Sequence, residues 1–153
     1  MAEPALLTPE RMINNLDALS SGVHDPITLL SNAAALLYHS LPDVNWAGFY
    51  RLVGDTLRLY PFSGLPACAA IPLGKGVCGT AAKAQTTVRV ADVHRFPGHI
   101  ACDAASRSEI VVPLIVGGAV WGVMDLDSPA VGRFTQKDQA LLEAFAQRLA
   151  SWL

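Results

Sequence analysis

The stretch Glu109-Ile110-Val111-Val112-Pro113-Leu114-Ile115-Val116-Gly117-Gly118-Ala119-Val120-Trp121-Gly122-Val123-Met124-Asp125-Leu126 decides the fold. Its uncharged run, Ile110 to Met124, is fifteen residues long. A membrane-spanning helix needs about 20 apolar residues, and Pro113, Gly117, Gly118 and Gly122 interrupt this run. Rich in Val and Ile, it reads as two buried strands, Glu109 to Val116 and Ala119 to Leu126, joined over Gly117-Gly118.

Upstream the chain repeats the device. Trp46 to Val53 is rich in aromatic and β-branched residues, and Gly54-Asp55 turns it into Thr56 to Phe62. Leu57, Leu59 and Pro61 share one face by period two. Helical patterns stand at both ends. Met12, Ile13, Leu16 and Leu19 follow the 3.6 period between Thr8 and about Gly22, and Thr8-Pro9-Glu10 supplies an N-cap, an early proline and an acid. Asp25-Pro26 opens a second helix, apolar over a wide face, which Pro42 ends. Thr135 caps the last helix with Asp138 three residues on, and Leu141, Leu142, Phe145, Leu149 and Trp152 form its buried stripe.

The order helix, helix, hairpin, irregular region, hairpin, helix implies an α+β sandwich, an antiparallel sheet flanked by helices. The length of 153 residues argues for a single domain. It divides into N-terminal helices over 1–42, sheet and active-site loops over 45–128, and a C-terminal helix over 134–153. Apolar residues make up 52% and charged residues 16%, which excludes a disordered chain. Eleven basic and thirteen acidic residues form no block of one sign, so neither a nucleic-acid surface nor a membrane span is expected. The N-terminus carries no secretory pattern, and three cysteines are an odd number, so a reducing cytoplasm is the expected location.

The segment Ser63 to Ser108 is loop-rich, with a helical turn at Val77 to Lys83 and a strand at Thr87 to Val90. Loops this long inside a compact domain are usually functional, and this one holds Cys68, Cys78 and Cys102. No pair forms Cys-x-x-Cys, so neither a thioredoxin-type dithiol nor a zinc knuckle is indicated. Taken singly, each cysteine reads first as a small core hydrophobe. Cys102 is the best nucleophile candidate, with His99 three residues upstream and Asp103 able to cap a short helix whose amides would favour a thiolate. In Gly74-Lys75-Gly76-Val77-Cys78-Gly79 a tight structural loop is favoured over a phosphate cradle. A zinc site from the three cysteines with His94 or His99 has the right ligand types but no matching spacing. His24 and His39 read as structural or surface residues.

Glu109, Asp125 and Asp127 border apolar strands in a weakly charged chain. Asp125 and Asp127, two apart, share one face of a strand, with Leu126 turned to the core. They are either solvated strand ends or a carboxylate ring that holds an ammonium group or supplies a proton. Trp46 is a core residue in one reading and an apolar or cation–π wall of the same pocket in the other.

Four motifs in order carry a resemblance. Gly74-Lys75-Gly76-Val77-Cys78-Gly79, then Phe96-Pro97-Gly98-His99-Ile100-Ala101-Cys102-Asp103, then Ser106-x-Ser108-Glu109-Ile110-Val111-Val112-Pro113, then Gly122-Val123-Met124-Asp125-Leu126-Asp127-Ser128 resemble the GAF-domain free methionine-(R)-sulfoxide reductases. The resemblance runs from Asn45-Trp46-Ala47-Gly48-Phe49-Tyr50 to the last helix. It implies a GAF-like antiparallel β-sheet flanked by helices on both faces and reduction of the free amino acid sulfoxide. By the same resemblance Cys102 is the catalytic cysteine, Cys68 the resolving one and Cys78 an auxiliary one. Glu109, Asp125 and Asp127 are the pocket acids, with Glu109 or Asp127 as proton donor, and Trp46 is the pocket tryptophan. The chemistry so implied is attack of a Cys102 thiolate on the sulfoxide, a sulfenic acid, a disulfide with Cys68 and reopening by thioredoxin. Neither a cofactor nor a metal is called for. The competing class is a non-catalytic GAF sensor of a small ligand or of redox state. Amphipathic terminal helices suit a homodimer.

Overall fold

The computed structural model of the chain describes residues 6–100, 102 and 105–153. The helices α1 (Met12–Ser20), α2 (Pro26–Ser40), α3 (Gly76–Ala84) and α4 (Gln136–Trp152) accompany six strands. These are β1 (Trp46–Val53), β2 (Thr56–Gly64), β3 (Ala70–Pro72), β4 (Val88–Val90), β5 (Ser108–Val116) and β6 (Ala119–Ser128). They form one sheet in the order β3-β2-β1-β6-β5-β4 with every pairing antiparallel. The expected α+β architecture is what the chain adopts.

The deciding stretch forms the β5–β6 hairpin, and both turn glycines take positive φ, 60° at Gly117 and 80° at Gly118. Glycine adopts two such residues in succession without strain. Pro113 is tolerated in β5 because β4 ends its pairing at Val88 opposite Val111, leaving no β4 hydrogen bond for the proline to forgo.

Alternation along the three central strands sorts two cores. Ala47, Phe49, Ile110, Val112, Met124 and Leu126 face α1, α2 and α4, joining Leu16, Leu30, Leu37, Phe145 and Leu149 in one fully buried cluster. Trp46, Tyr50, Val111 and Val123 face the other way, against Val77, Cys78, Ala81 and Ala82 of α3. Helices therefore cover both faces of the sheet.

The caps follow the sequence at two of three helix starts. Asp25 accepts from Thr28 N at 3.2 Å, and Thr135 and Asp138 form a reciprocal capping box. Thr8 does not cap. A 3-10 turn, Pro9–Arg11, precedes α1, and the Thr8 carbonyl rather than its side chain accepts from Arg11 N at 3.1 Å. The backbone bond satisfies the donor that a side-chain cap would otherwise serve. The middle segment is also more ordered than the sequence predicts. The helical turn at Val77 to Lys83 is the nine-residue α3, and β3 was not foreseen.

Candidate active site

Strand register builds the floor of the site. Trp46 on β1 lies opposite Asp127 on β6, and Asp127 lies opposite Glu109 on β5, so three side chains stand in a row across neighbouring strands. Two residues back along β6, Asp125 lies between Gly48 and Val111 and points to the same face. Gly48 is required there, because a Cβ would come within 2.9 Å of the Trp46 ring and collide with Phe62. The indole instead lies flat, stacked on Phe62 with ring centroids 5.3 Å apart.

The roof comes from α3 and two loops. Gly74 and Gly76 take φ of +84° and +62°, and Gly74 N donates to Gly79 O at 2.9 Å, so the glycine-rich motif is a tight turn into α3. That turn directs Cys78, 3% exposed, at the acids. The chain between β2 and β3 is tied to the floor. Trp46 Nε1 donates to Leu65 O at 3.1 Å and the Tyr50 hydroxyl donates to Cys68 O at 2.9 Å. Ala69 O accepts from Leu59 N at 3.0 Å, which carries the chain into β3. The second loop brings His99, Ile100 and Cys102 over the same floor. Cys68 and Cys102, 34 residues apart, are joined in a disulfide with Cα atoms 5.3 Å apart.

Together these residues enclose a cavity of about 30 Å³, lined by Trp46, Tyr50, Cys78, His99, Cys102, Ser106, Glu109, Asp125 and Asp127 among others. All seven residues singled out from the sequence lie at this place: six line the cavity, and Cys68 is bonded to Cys102 at its wall. Asp103 lies outside the described residues. Cys68 and Cys102 are bonded to each other and His94 is exposed, so the three-cysteine zinc arrangement is not formed. His24 and His39 are exposed, as expected. His99 lines the cavity beside Cys102, as the sequence reading allowed, whereas the polar lining residues Tyr50 and Ser106 carried no site role there. Tyr50 was detectable, since it follows Trp46 by four on a strand and so shares its face. Ser106 lies in a loop, where no periodicity reports direction. The Ser106 hydroxyl oxygen is buried without a hydrogen-bond partner.

The electrostatics are one-sided. Burial, followed by repulsion from Asp125 and Asp127, holds the Glu109 carboxyl well above the usual carboxylate range. Burial raises Asp125 as well, against hydrogen bonds from Glu109 and Cys78 that favour its charge. Burial and then the neighbouring carboxylates push the Cys78 thiol up, and the same causes raise Tyr50. His99 Nε2 stands 3.9 Å from Glu109 Oε1, yet burial and His94 lower the imidazole. With the acid held up and the base held down, that contact is a neutral one rather than a salt bridge. The pocket can therefore donate protons from Glu109 and would welcome a cation.

A six-stranded antiparallel sheet with helices on both faces is the fold of a GAF-type domain, and the GAF domain family model matches residues 25–152. The free methionine-R-sulfoxide reductase of Escherichia coli is 53% identical over 134 residues, covering 87% of this chain and 81% of that protein. The solved structure of fRMsr of Staphylococcus aureus in complex with substrate is 46% identical with a TM-score of 0.90, covering 95% of each chain. A free methionine-R-sulfoxide reductase from Neisseria meningitidis, solved with its substrate, is 38% identical with a TM-score of 0.90 over 99% of this chain and 90% of that one. The chain belongs to the GAF-domain family and, within it, to the free methionine-R-sulfoxide reductases, which are oxidoreductases.

Proposed function

We propose that this protein reduces free methionine-(R)-sulfoxide to methionine, with Cys102 as nucleophile and Cys68 as resolving residue. The observation that carries the reading is the Cys68–Cys102 disulfide at the wall of a pocket floored by Glu109, Asp125, Asp127 and Trp46. That disulfide is what the reaction leaves behind. In the reduced protein the Cys102 thiolate attacks the sulfoxide sulfur. Glu109 gives a proton to the oxygen, the more readily because burial keeps it protonated. The oxygen ends on Cys102 as a sulfenic acid and methionine leaves with the electron pair. The Cys68 thiol then displaces that oxygen as water, forming the disulfide. An external dithiol, thioredoxin as the biological reductant, reopens it by exchange.

Asp125 and Asp127 hold the ammonium group of the free amino acid, which a peptide nitrogen cannot imitate. Trp46 packs on the S-methyl group. Cys78 is auxiliary, since a Cys68–Cys102 bridge completes the cycle without it. A cavity of about 30 Å³ holds a water or two but no amino acid. The disulfide form is thus the closed, product-released state, and reduction must free the two loops before substrate enters.

The deciding experiment supplies racemic free methionine sulfoxide and dithiothreitol, with the epimers followed by chiral chromatography. Loss of the R-epimer alone is the expected result, and N-acetylmethionine sulfoxide should be a much poorer substrate. Persistence of both epimers would leave the protein a ligand sensor. Equal specificity constants for the free and acetylated compounds would overturn the ammonium-reading pocket.

A further inference from the structure

Cys78 is a free thiol that the proposed cycle does not consume, and its surroundings are unlike those of a core cysteine. Its sulfur and one carboxylate oxygen each from Glu109 and Asp125 lie within 4.8 Å of one another, and all three residues are buried. The three come from α3, β5 and β6, elements whose packing and pairing fix their relative positions. Asp125 is 5% exposed, and its Oδ1 has no hydrogen-bond partner. A buried carboxylate oxygen left in that state is costly unless something completes it. The space beside it, about 30 Å³, fits an ion or a water or two. His99 Nε2 stands 3.9 Å from Glu109 Oε1, close enough to supply a fourth donor in place of water.

We propose that Cys78, Glu109 and Asp125 form a binding site for a borderline-soft divalent cation such as Zn²⁺ or Cd²⁺ in the disulfide form of this protein. The donor set decides the class of ion. One thiolate with two carboxylates suits zinc and cadmium, whereas Mg²⁺ and Ca²⁺ take oxygen ligands. On binding, the ion displaces the protons that the thiol and carboxyls otherwise hold, and these pass to solvent; no oxidation or reduction is involved. The ion takes the place where the proposed function puts the ammonium group of the substrate, so it must leave before the reduced pocket binds methionine sulfoxide. That consequence alone rests on the proposed function.

The test needs no turnover, so its failure is distinguishable from failure of the reductase reading. Protein oxidised at Cys68–Cys102, verified to carry one free thiol, is titrated with Cd²⁺. Binding is followed by calorimetry and by the ultraviolet thiolate-to-cadmium charge-transfer band. One ion per chain with a saturable band is expected. Zn²⁺ should displace it and Mg²⁺ should not. Asp125→Asn and Glu109→Gln, which keep the thiol and the approximate shape, should each weaken binding at least about tenfold, the scale on which even residues outside the ligand shell act. Cys78→Ser should abolish the band. No band in the wild-type protein, unchanged affinity in both carboxamide variants, or equal competition by Mg²⁺ would each overturn the site.

Discussion

At the scale of single residues, the pocket separates groups of similar chemistry by where they stand. Three cysteines converge on one place, but two are joined to each other and the third is buried behind the acids. Their roles should separate in single-turnover stoichiometry without reductant. Cys102→Ser should release no methionine. Cys68→Ser should release about one methionine per chain and then stall with thioredoxin, because a nucleophile is oxidised before it is resolved. Cys78→Ser should continue to cycle. A methionine burst from Cys102→Ser, counted by chromatography, would refute the mechanism. Glu109 invites a parallel argument. A general acid contributes typically 10²–10⁴-fold, so Glu109→Gln should slow the chemical step by something in that range under rapid-mixing conditions. Near wild-type rates in the folded variant would reduce the carboxyl to a strand-end group.

At the scale of elements, the site depends on how α3 seats against the sheet. Gly79 lies where a Cβ would come within 2.6 Å of Pro72 O and 3.0 Å of Gly74 N, both backbone atoms. Neither can move without opening the turn whose closing bond runs from Gly74 N to Gly79 O. Gly79→Ala should therefore destabilise the protein by about 1–3 kcal/mol, the usual cost of an extra methyl group in a packed site. Chemical denaturation would measure it. Because Cys78 is the preceding residue, the variant should also weaken cadmium binding. Unchanged stability would mean that the turn yields without moving α3.

At the scale of the whole molecule, the buried acids link function to stability. Glu109 and Asp125 have their carboxyls raised in the folded chain from ordinary values of 4.5 and 3.8. Between the ordinary and the raised values the folded state binds more protons than the unfolded one. Stability contributed by these groups is thus present in acid and lost as pH rises through that window. Thermal melts of the oxidised protein should show wild type losing stability relative to Glu109→Gln/Asp125→Asn as pH rises above the ordinary carboxylate range. The variant should melt higher at neutral pH although it is the poorer catalyst, an instance of stability forgone at a functional site. Parallel melting curves above that range would mean that the acids are solvated in the folded protein.

The sequence by itself determined the elements whose signals are local. Periodicity of 3.6 and of two, the proline stops, the Thr135–Asp138 box and the Gly117-Gly118 turn set three helices, two hairpins and the α+β class, since each depends on neighbours a few residues away. It also marked the chemical groups, because three thiols in one loop-rich third and carboxylates bordering apolar strands are unusual wherever they occur. Thr8 misled because a backbone carbonyl served the donor that its side chain was expected to serve. β3 escaped because an edge strand of three residues carries no period. Only the tertiary structure decided that Trp46 joins Asp127 and Glu109 in one row, since the β1–β6 register is fixed by pairing between residues some seventy to eighty apart in sequence. Likewise only the packing of α3 against that row decided that Glu109 and Asp125 are desolvated, with their carboxyls held above the usual carboxylate range, rather than solvated strand ends. Burial and mutual repulsion are properties of the assembled pocket, which no single stretch of the chain contains.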